Sequence, residues 1–169
     1  MGLFQNLFKG KEQPVFEAQP MTVLAPLSGS VLPLEKLPDD IFASATLGNG
    51  CGIEPDGDTV YAPFNGSVTQ VADTKHAVGL ESSDGVELLI HVGMDTVEMN
   101  GKGFKALVKI SDSVKAGTPL LKFDLNAIKA AGHPAATAII VTNSDDLPAV
   151  KLLAEGTVSA GVPLLKIGG

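Results

Sequence analysis

A single cysteine, Cys51, stands in a chain of 169 residues, so no disulfide can form within it and nothing here argues for secretion. Set in Asn49-Gly50-Cys51-Gly52-Ile53, it reads as a small buried hydrophobe. No apolar run approaches the ~20 residues of a membrane-spanning helix. The N-terminus also lacks the long apolar stretch of a signal peptide. Together these absences point to the cytoplasm. Basic residues are few as well: twelve Lys and Arg against nineteen Asp and Glu leave a net charge of −7. Phosphate backbones need a basic footprint, so nucleic acid is not the expected partner; neutral or basic proteins are. Histidine is scarce, with three copies, which makes the placement of each one informative.

A hydrophobic content of 44% with 18% charged residues describes one globular domain long enough for a real core. From Thr22 onward, short β-branched or apolar runs are cut by many of the 19 glycines and 11 prolines. This pattern predicts an all-β fold, an antiparallel sandwich or barrel with short helical segments only. One helix is expected over Asn126–Ala131, with Asp124 near its start as a cap and Gly132 as a stop. The segment Asp145–Leu153 adds an irregular turn around Pro148. Two internal echoes suggest an approximate duplication. Ala25-Pro26-Leu27-Ser28-Gly29-Ser30-Val31 matches Ala62-Pro63-Phe64-Asn65-Gly66-Ser67-Val68, and Val114–Lys122 matches Val158–Lys166. The offsets differ and each motif occurs twice, so the chain is not a solenoid.

Residues 1–20 differ from the domain expected over 21–169. Leu3, Phe4, Leu7 and Phe8 fall on one face of a short amphipathic helix, with Lys9 and Lys11 behind them, before Pro14 and Pro20 break the pattern. This stretch reads as a flexible tail. Its apolar stripe could rest weakly on an anionic membrane surface through residues 1–11.

The most telling stretch is Val86–Val97, where an apolar strand runs into His91 and Asp95 follows. Another strand-like run begins at His76, and Ser82-Ser83-Asp84-Gly85 lies between them as hairpin chemistry. A four-residue loop places His76 opposite His91; a two-residue loop moves it one diagonal step. Either way the imidazoles share a face, roughly 5 to 8 Å apart at Cβ. An odd loop would send His91 to the other face. Such a pair suits a proton, metal or phosphoryl site. Neutral imidazole is a nucleophile at cytoplasmic pH. His91 has the better setting, with Gly93 close behind to let a partner approach. His76 can hydrogen-bond an incoming group, and Thr74 could orient it. Asp95 is the nearest acid, with a solvated turn residue or a cap as its alternative role.

The run His91-Val92-Gly93-Met94-Asp95-Thr96-Val97-Glu98-Met99-Asn100-Gly101-Lys102-Gly103-Phe104 resembles the phosphohistidine signature of the glucose-type enzyme IIA of the bacterial sugar phosphotransferase system. The likeness extends through Ala25–Gly29, Leu37–Ala43, Ala62–Gly66, Thr74–Ala77 and Lys122–Leu125. It implies that His91 accepts phosphoryl on Nε2 from the small carrier HPr and passes it to the cysteine of a sugar-specific IIB domain. His76 is then the supporting imidazole and Thr74 its hydrogen-bonding partner. Asp39 and Asp95 match acids at the rim of the site, while Ile41, Phe42 and Leu47 fall where an apolar docking surface is expected. Core packing is the alternative for those three. Asn49, Cys51-Gly52 and Asp40 depart from the family pattern and bear on partner selectivity. No resident cofactor is implied. With a carboxylate from a partner such as a regulated target enzyme, His76 and His91 could form part of a zinc site.

Two other classes compete. His91 and Asp95 also read as half of a zinc peptidase site of the lysostaphin-like class, but its His-x-His element is missing and His133 stands alone before Pro134. A lipoyl- or biotin-carrying domain would present its lysine at a hairpin tip beside Met or Ala, and neither Lys75 nor Lys115 has that setting.

Overall fold

The computed structural model describes residues 14–168; the expected amphipathic stripe of Leu3, Phe4, Leu7 and Phe8 lies outside them. The regular structure is mostly short strands: β1 (Thr22–Leu24), β2 (Gly29–Pro33), β3 (Asn49–Pro55), β4 (Thr59–Tyr61), β5 (Gly66–Val71), β6 (Ala77–Ser82), β7 (Glu87–His91), β8 (Phe104–Ala106), β9 (Ser113–Val114), β10 (Pro119–Phe123), β11 (Thr137–Val141), β12 (Val150–Leu152), β13 (Thr157–Val158) and β14 (Pro163–Ile167). Two short helices interrupt it, α1 (Asp40–Ala43) and α2 (Leu125–Ala130). The helix foreseen from Asn126 is α2, whose N-terminus is capped by the Asp124 carboxylate accepting from Ala127 N–H at 3.0 Å. Helix α1 went unforeseen because four residues carry too little periodicity to read.

An eight-stranded sheet of order β13-β2-β3-β11-β7-β6-β5-β9 accompanies two three-stranded sheets, β1-β14-β12 and β4-β10-β8. Every pairing is antiparallel, as the short strands and tight turns require. The fold is the expected antiparallel β-sandwich. Strand β11 is buried along its whole length, which explains the unbroken apolar run Ala138-Ile139-Ile140-Val141 that follows Thr137. Its Ile139 and Val141 join the main core with Ile53, Leu80, Leu88 and Ile90, while Ala138 and Ile140 join Leu37, Phe42 and Met94 in a second, smaller cluster. Strand β7 alternates in the same way, with Leu88 and Ile90 in the main core and Leu89 beside the small cluster. Alternation therefore sends His91 to the small-cluster side.

The two sequence echoes interlock. Ala25 N–H donates to the Val162 carbonyl at 2.7 Å and Gly161 N–H returns a bond to the Ala25 carbonyl at 2.9 Å. Ala62 N–H donates to the Thr118 carbonyl at 2.8 Å and Gly117 N–H returns to the Ala62 carbonyl at 2.8 Å. Side chains repeat the pattern: Ala160 N–H donates to Ser28 Oγ, and Ala116 N–H to Asn65 Oδ1. Gly29 pairs with Val158 and Gly66 with Val114. At each of these two glycines a Cβ would stand 2.0 Å from a neighbouring carbonyl oxygen, that of Glu54 or of Glu81. The duplicated motifs thus build two equivalent corners in which backbones touch too closely for any side chain.

Part of the expected tail is seated on the domain. The Phe16 ring lies 5.5 Å from that of Tyr61 and covers Gly117, and just past the tail the Met21 N–H donates to Asp84 Oδ2 at 2.9 Å. Cys51, expected as a buried hydrophobe, is fully enclosed in the main core, and burial pushes its thiol up to about 12. No helix among the described residues is long and apolar enough to cross a membrane.

Candidate functional site

The β6–β7 hairpin corrects the expected register. Glu81 pairs with Glu87 and Ala77 with His91, so the loop is odd: three residues, Ser83-Asp84-Gly85, close it. Gly85 takes a left-handed φ of 87° and its N–H donates to the Ser82 carbonyl at 3.0 Å. The Ser82 hydroxyl accepts from both Asp84 and Val86 N–H. This is the three-residue hairpin with a glycine bulge, and it defeats the even-loop expectation. On strand alternation alone, the two histidines should point to opposite faces.

They meet nonetheless, because His76 is not a strand residue. It lies just before β6 in a turn where Lys75 has φ of 62°, and where Ala72 N–H reaches the Ala77 carbonyl. The turn frees the His76 ring from the alternation and brings it 4.6 Å from the His91 ring, centroid to centroid, edge on at 84°. Backbone ties the pair as well: Val92 N–H donates to the His76 carbonyl at 2.8 Å. Space for the rings comes from the strands beside His91, which present alanine on both sides, Ala77 on β6 and Ala138 on β11.

The hydrogen bonds assign the nitrogens. His91 Nδ1 lies 2.8 Å from the Gly93 carbonyl oxygen. A carbonyl can only accept, so Nδ1 carries the proton and Nε2 keeps its lone pair. His76 Nδ1 lies 2.8 Å from the Thr74 hydroxyl, the contact expected of Thr74. When the hydroxyl donates, His76 Nε2 holds the proton and becomes a hydrogen-bond donor. Both rings are neutral near pH 7. Burial lowers His76 to about 4, with the adjacent His91 adding to the effect. Burial also lowers His91, opposed by the Gly93 carbonyl and by the Asp39 and Asp95 carboxylates.

The surrounding residues divide. Asp39 caps α1, its carboxylate accepting from Ile41 N–H at 2.9 Å and Phe42 N–H at 3.2 Å. Phe42 is buried, and its ring lies 5.1 Å from that of His91. It therefore backs the His91 ring instead of forming the open docking face that sequence suggested. Ile41 and Leu47 are exposed, at 56% and 41%, as a docking surface requires. Asp95 is exposed with φ of 59° at the start of a short 3-10 turn, Thr96–Met99, and its side chain caps nothing. Sequence reasoning missed Thr96 and Pro134. Thr96 is fully buried and its hydroxyl donates to the Val92 carbonyl at 2.6 Å, while the Pro134 carbonyl accepts from Met94 N–H at 2.9 Å. Thr96 could have been suspected, as a hydroxyl residue inside the signature itself.

Among the described residues, no group of three or more His, Cys, Asp or Glu is placed to hold a metal. The pair offers two imidazole nitrogens, short of the three protein ligands a hydrolytic zinc centre needs.

An all-β sandwich carrying two neutral imidazoles at one sheet end, one with its outer nitrogen free, defines a class of β-sandwich domains with a paired-histidine site. Residues 21–147 match the family described as phosphoenolpyruvate-dependent sugar phosphotransferase system, EIIA 1, and the chain belongs to that family. It is 41% identical over 159 residues to a glucose-specific EIIA component of Oceanobacillus iheyensis, covering 94% of each chain. It is 43% identical over 145 residues to a glucoside-specific EIICBA component of Staphylococcus carnosus, covering 86% of this chain and 21% of that one. The fold superposes on the glucose permease IIA from Mycoplasma capricolum with a TM-score of 0.78 at 32% identity, covering 90% of this chain and 98% of that chain.

Proposed function

We propose that this protein is a phosphohistidine carrier that accepts phosphoryl from HPr on His91 and donates it to the cysteine of a IIB domain during sugar uptake. One observation carries the reading: His91 is neutral, with Nδ1–H bound to the Gly93 carbonyl and Nε2 free, and a second imidazole sits 4.6 Å away. In the forward step the Nε2 lone pair attacks phosphorus as the donor's phosphorus–nitrogen bond breaks. Positive charge developing on the ring is met at Nδ1–H by the Gly93 carbonyl and at longer range by Asp39 and Asp95. His76, oriented by Thr74, donates Nε2–H to a phosphoryl oxygen. In the return step a IIB thiolate attacks the same phosphorus and His91 leaves as neutral imidazole.

The exposed Ile41 of α1 and Leu47 just after that helix give the partners an apolar surface to dock on. Fusion of this domain with B and C components in the Staphylococcus carnosus relative supports a IIB domain as acceptor. Incubation with phosphorylated HPr should raise the intact mass by one phosphoryl group, labile in acid. The His91→Ala variant should take up none while keeping its circular dichroism spectrum. Undiminished labelling of that variant would overturn the assignment.

A further inference from the structure

The loop that follows His91 is held at two consecutive peptide planes. The Val92–Gly93 plane is anchored by the Thr96 hydroxyl, which donates to the Val92 carbonyl at 2.6 Å. The Gly93–Met94 plane is anchored by Met94 N–H, which donates to the Pro134 carbonyl at 2.9 Å. With both planes fixed about the Gly93 Cα, the Gly93 carbonyl, which belongs to the second plane, faces His91 Nδ1 at 2.8 Å. Gly93 takes a φ of 74°, and a Cβ there would stand 2.5 Å from the Thr96 methyl. The methyl thus fills the space that glycine leaves, and the hydroxyl reaches back over it. Thr96 is fully buried, so this bond has no water to compete with it. Its hydroxyl hydrogen-bonds to backbone and to neither imidazole.

We propose that Thr96 is a positioning residue for His91: through the Val92 and Gly93 peptides, its hydroxyl holds the Gly93 carbonyl on Nδ1 and so keeps Nε2 as the free nitrogen. The bond acts on the tautomer, not on substrate. Without it the Val92–Gly93 plane can turn at the Gly93 Cα, and the Gly93–Met94 plane that carries the Gly93 carbonyl is left anchored by Met94 N–H alone. The carbonyl's looser hold on Nδ1 then lets the proton redistribute between the two nitrogens. Only molecules with Nε2 unprotonated can then attack phosphorus. The kinetic part of this inference rests on the carrier reading of His91; the tautomer part does not.

Nitrogen NMR of the imidazoles, with the full chain labelled, tests it in the native protein and in Thr96→Val and Thr96→Ser. The native protein and Thr96→Ser should show His91 protonated on Nδ1 alone. Thr96→Val, which keeps the shape and loses the hydroxyl, should show a mixture. The saturating rate of phosphoryl uptake from HPr should fall about fivefold in that variant, the effect of one neutral hydrogen bond, with KM unchanged. A folded Thr96→Val protein with the native tautomer overturns the proposal. A Thr96→Val chain that cannot fold while Thr96→Ser does also overturns it, because the bond would then hold the fold at large. A shifted tautomer in a protein that never takes phosphoryl from HPr leaves this inference standing and removes the carrier reading.

Discussion

Acidification should unfold this protein partly through His76, and the size of the effect follows from where the ring sits. The His76 side chain is 6% exposed and its pKa is lowered from 6.5 to about 4, first by burial and then by His91. The unfolded chain, with an ordinary imidazole, therefore binds a proton more readily than the folded one. The His76 contribution to stability must fall as pH drops below 6.5 and must level off below about 4. Each pH unit in that window contributes ~1.4 kcal/mol per group. Between pH 8 and pH 5 His76 alone should remove about 2 kcal/mol. His91, lowered in the same direction, adds to this loss. Urea titrations at pH 8 and pH 5, on the native protein and on His76→Gln, isolate the effect. The variant has no proton to take up at that position, so its loss between the two pH values should be smaller by about 2 kcal/mol. Any fixed cost of fitting glutamine cancels in the difference. Equal losses in the two proteins would refute a buried neutral His76.

The same His76→Gln substitution should leave phosphoryl uptake from HPr near native and slow donation to a IIB domain by about ten- to a hundredfold, the effect of losing one hydrogen bond to a charged group; rapid-quench transfer at the native rate would reduce His76 to a structural neighbour. Gly66→Ala should lower stability by about 1–3 kcal/mol, since its Cβ would lie 2.0 Å from the Glu81 carbonyl oxygen, whereas Gly57→Ala, with nothing within 4 Å, should be close to neutral. Thermal unfolding of the two variants side by side gives the comparison, and equal shifts would contradict the close-packed corner.

Much of this molecule could be read from its residues, for physical reasons that differ from element to element. The β fold was legible because Gly and Pro punctuate it, cutting β-branched and apolar runs to strand length. Helix α2 was legible through Asp124 and Gly132, and Cys51 through its apolar, glycine-flanked setting. The meeting of His76 and His91 was foreseen for the wrong reason. Strand counting assumed an even loop, whereas Ser83-Asp84-Gly85 makes it odd and Lys75, with φ of 62°, turns the ring back. A side chain's direction at a strand end is set by the adjoining turn, which alternation cannot describe. Phe42 was open to two readings because a large apolar residue on a four-residue helix can face either way; its contact with His91 is decided by tertiary packing. Thr96 drew no attention because its hydroxyl works on backbone, and nothing in its identity says which carbonyl lies within reach.

The interlocked corners also bear on the order in which the chain assembles. One corner joins two internal segments, 62–68 and 114–122, while the other joins 25–31 to 158–166. The Ala25–Val162 bond spans more than twice the sequence separation of the Ala62–Thr118 bond, which adds about 0.8 kcal/mol to the entropy of closing it. On a growing chain the inner corner has all its residues by Lys122, whereas the outer one waits for β14. Strands β6 and β7 lie between the two segments of the inner corner and are complete before either corner closes, and the link from Val92 to His76 needs only their hairpin. The histidine-bearing hairpin can therefore form on an unfinished scaffold, with the outer corner closing last, as a clasp closes on a setting already made.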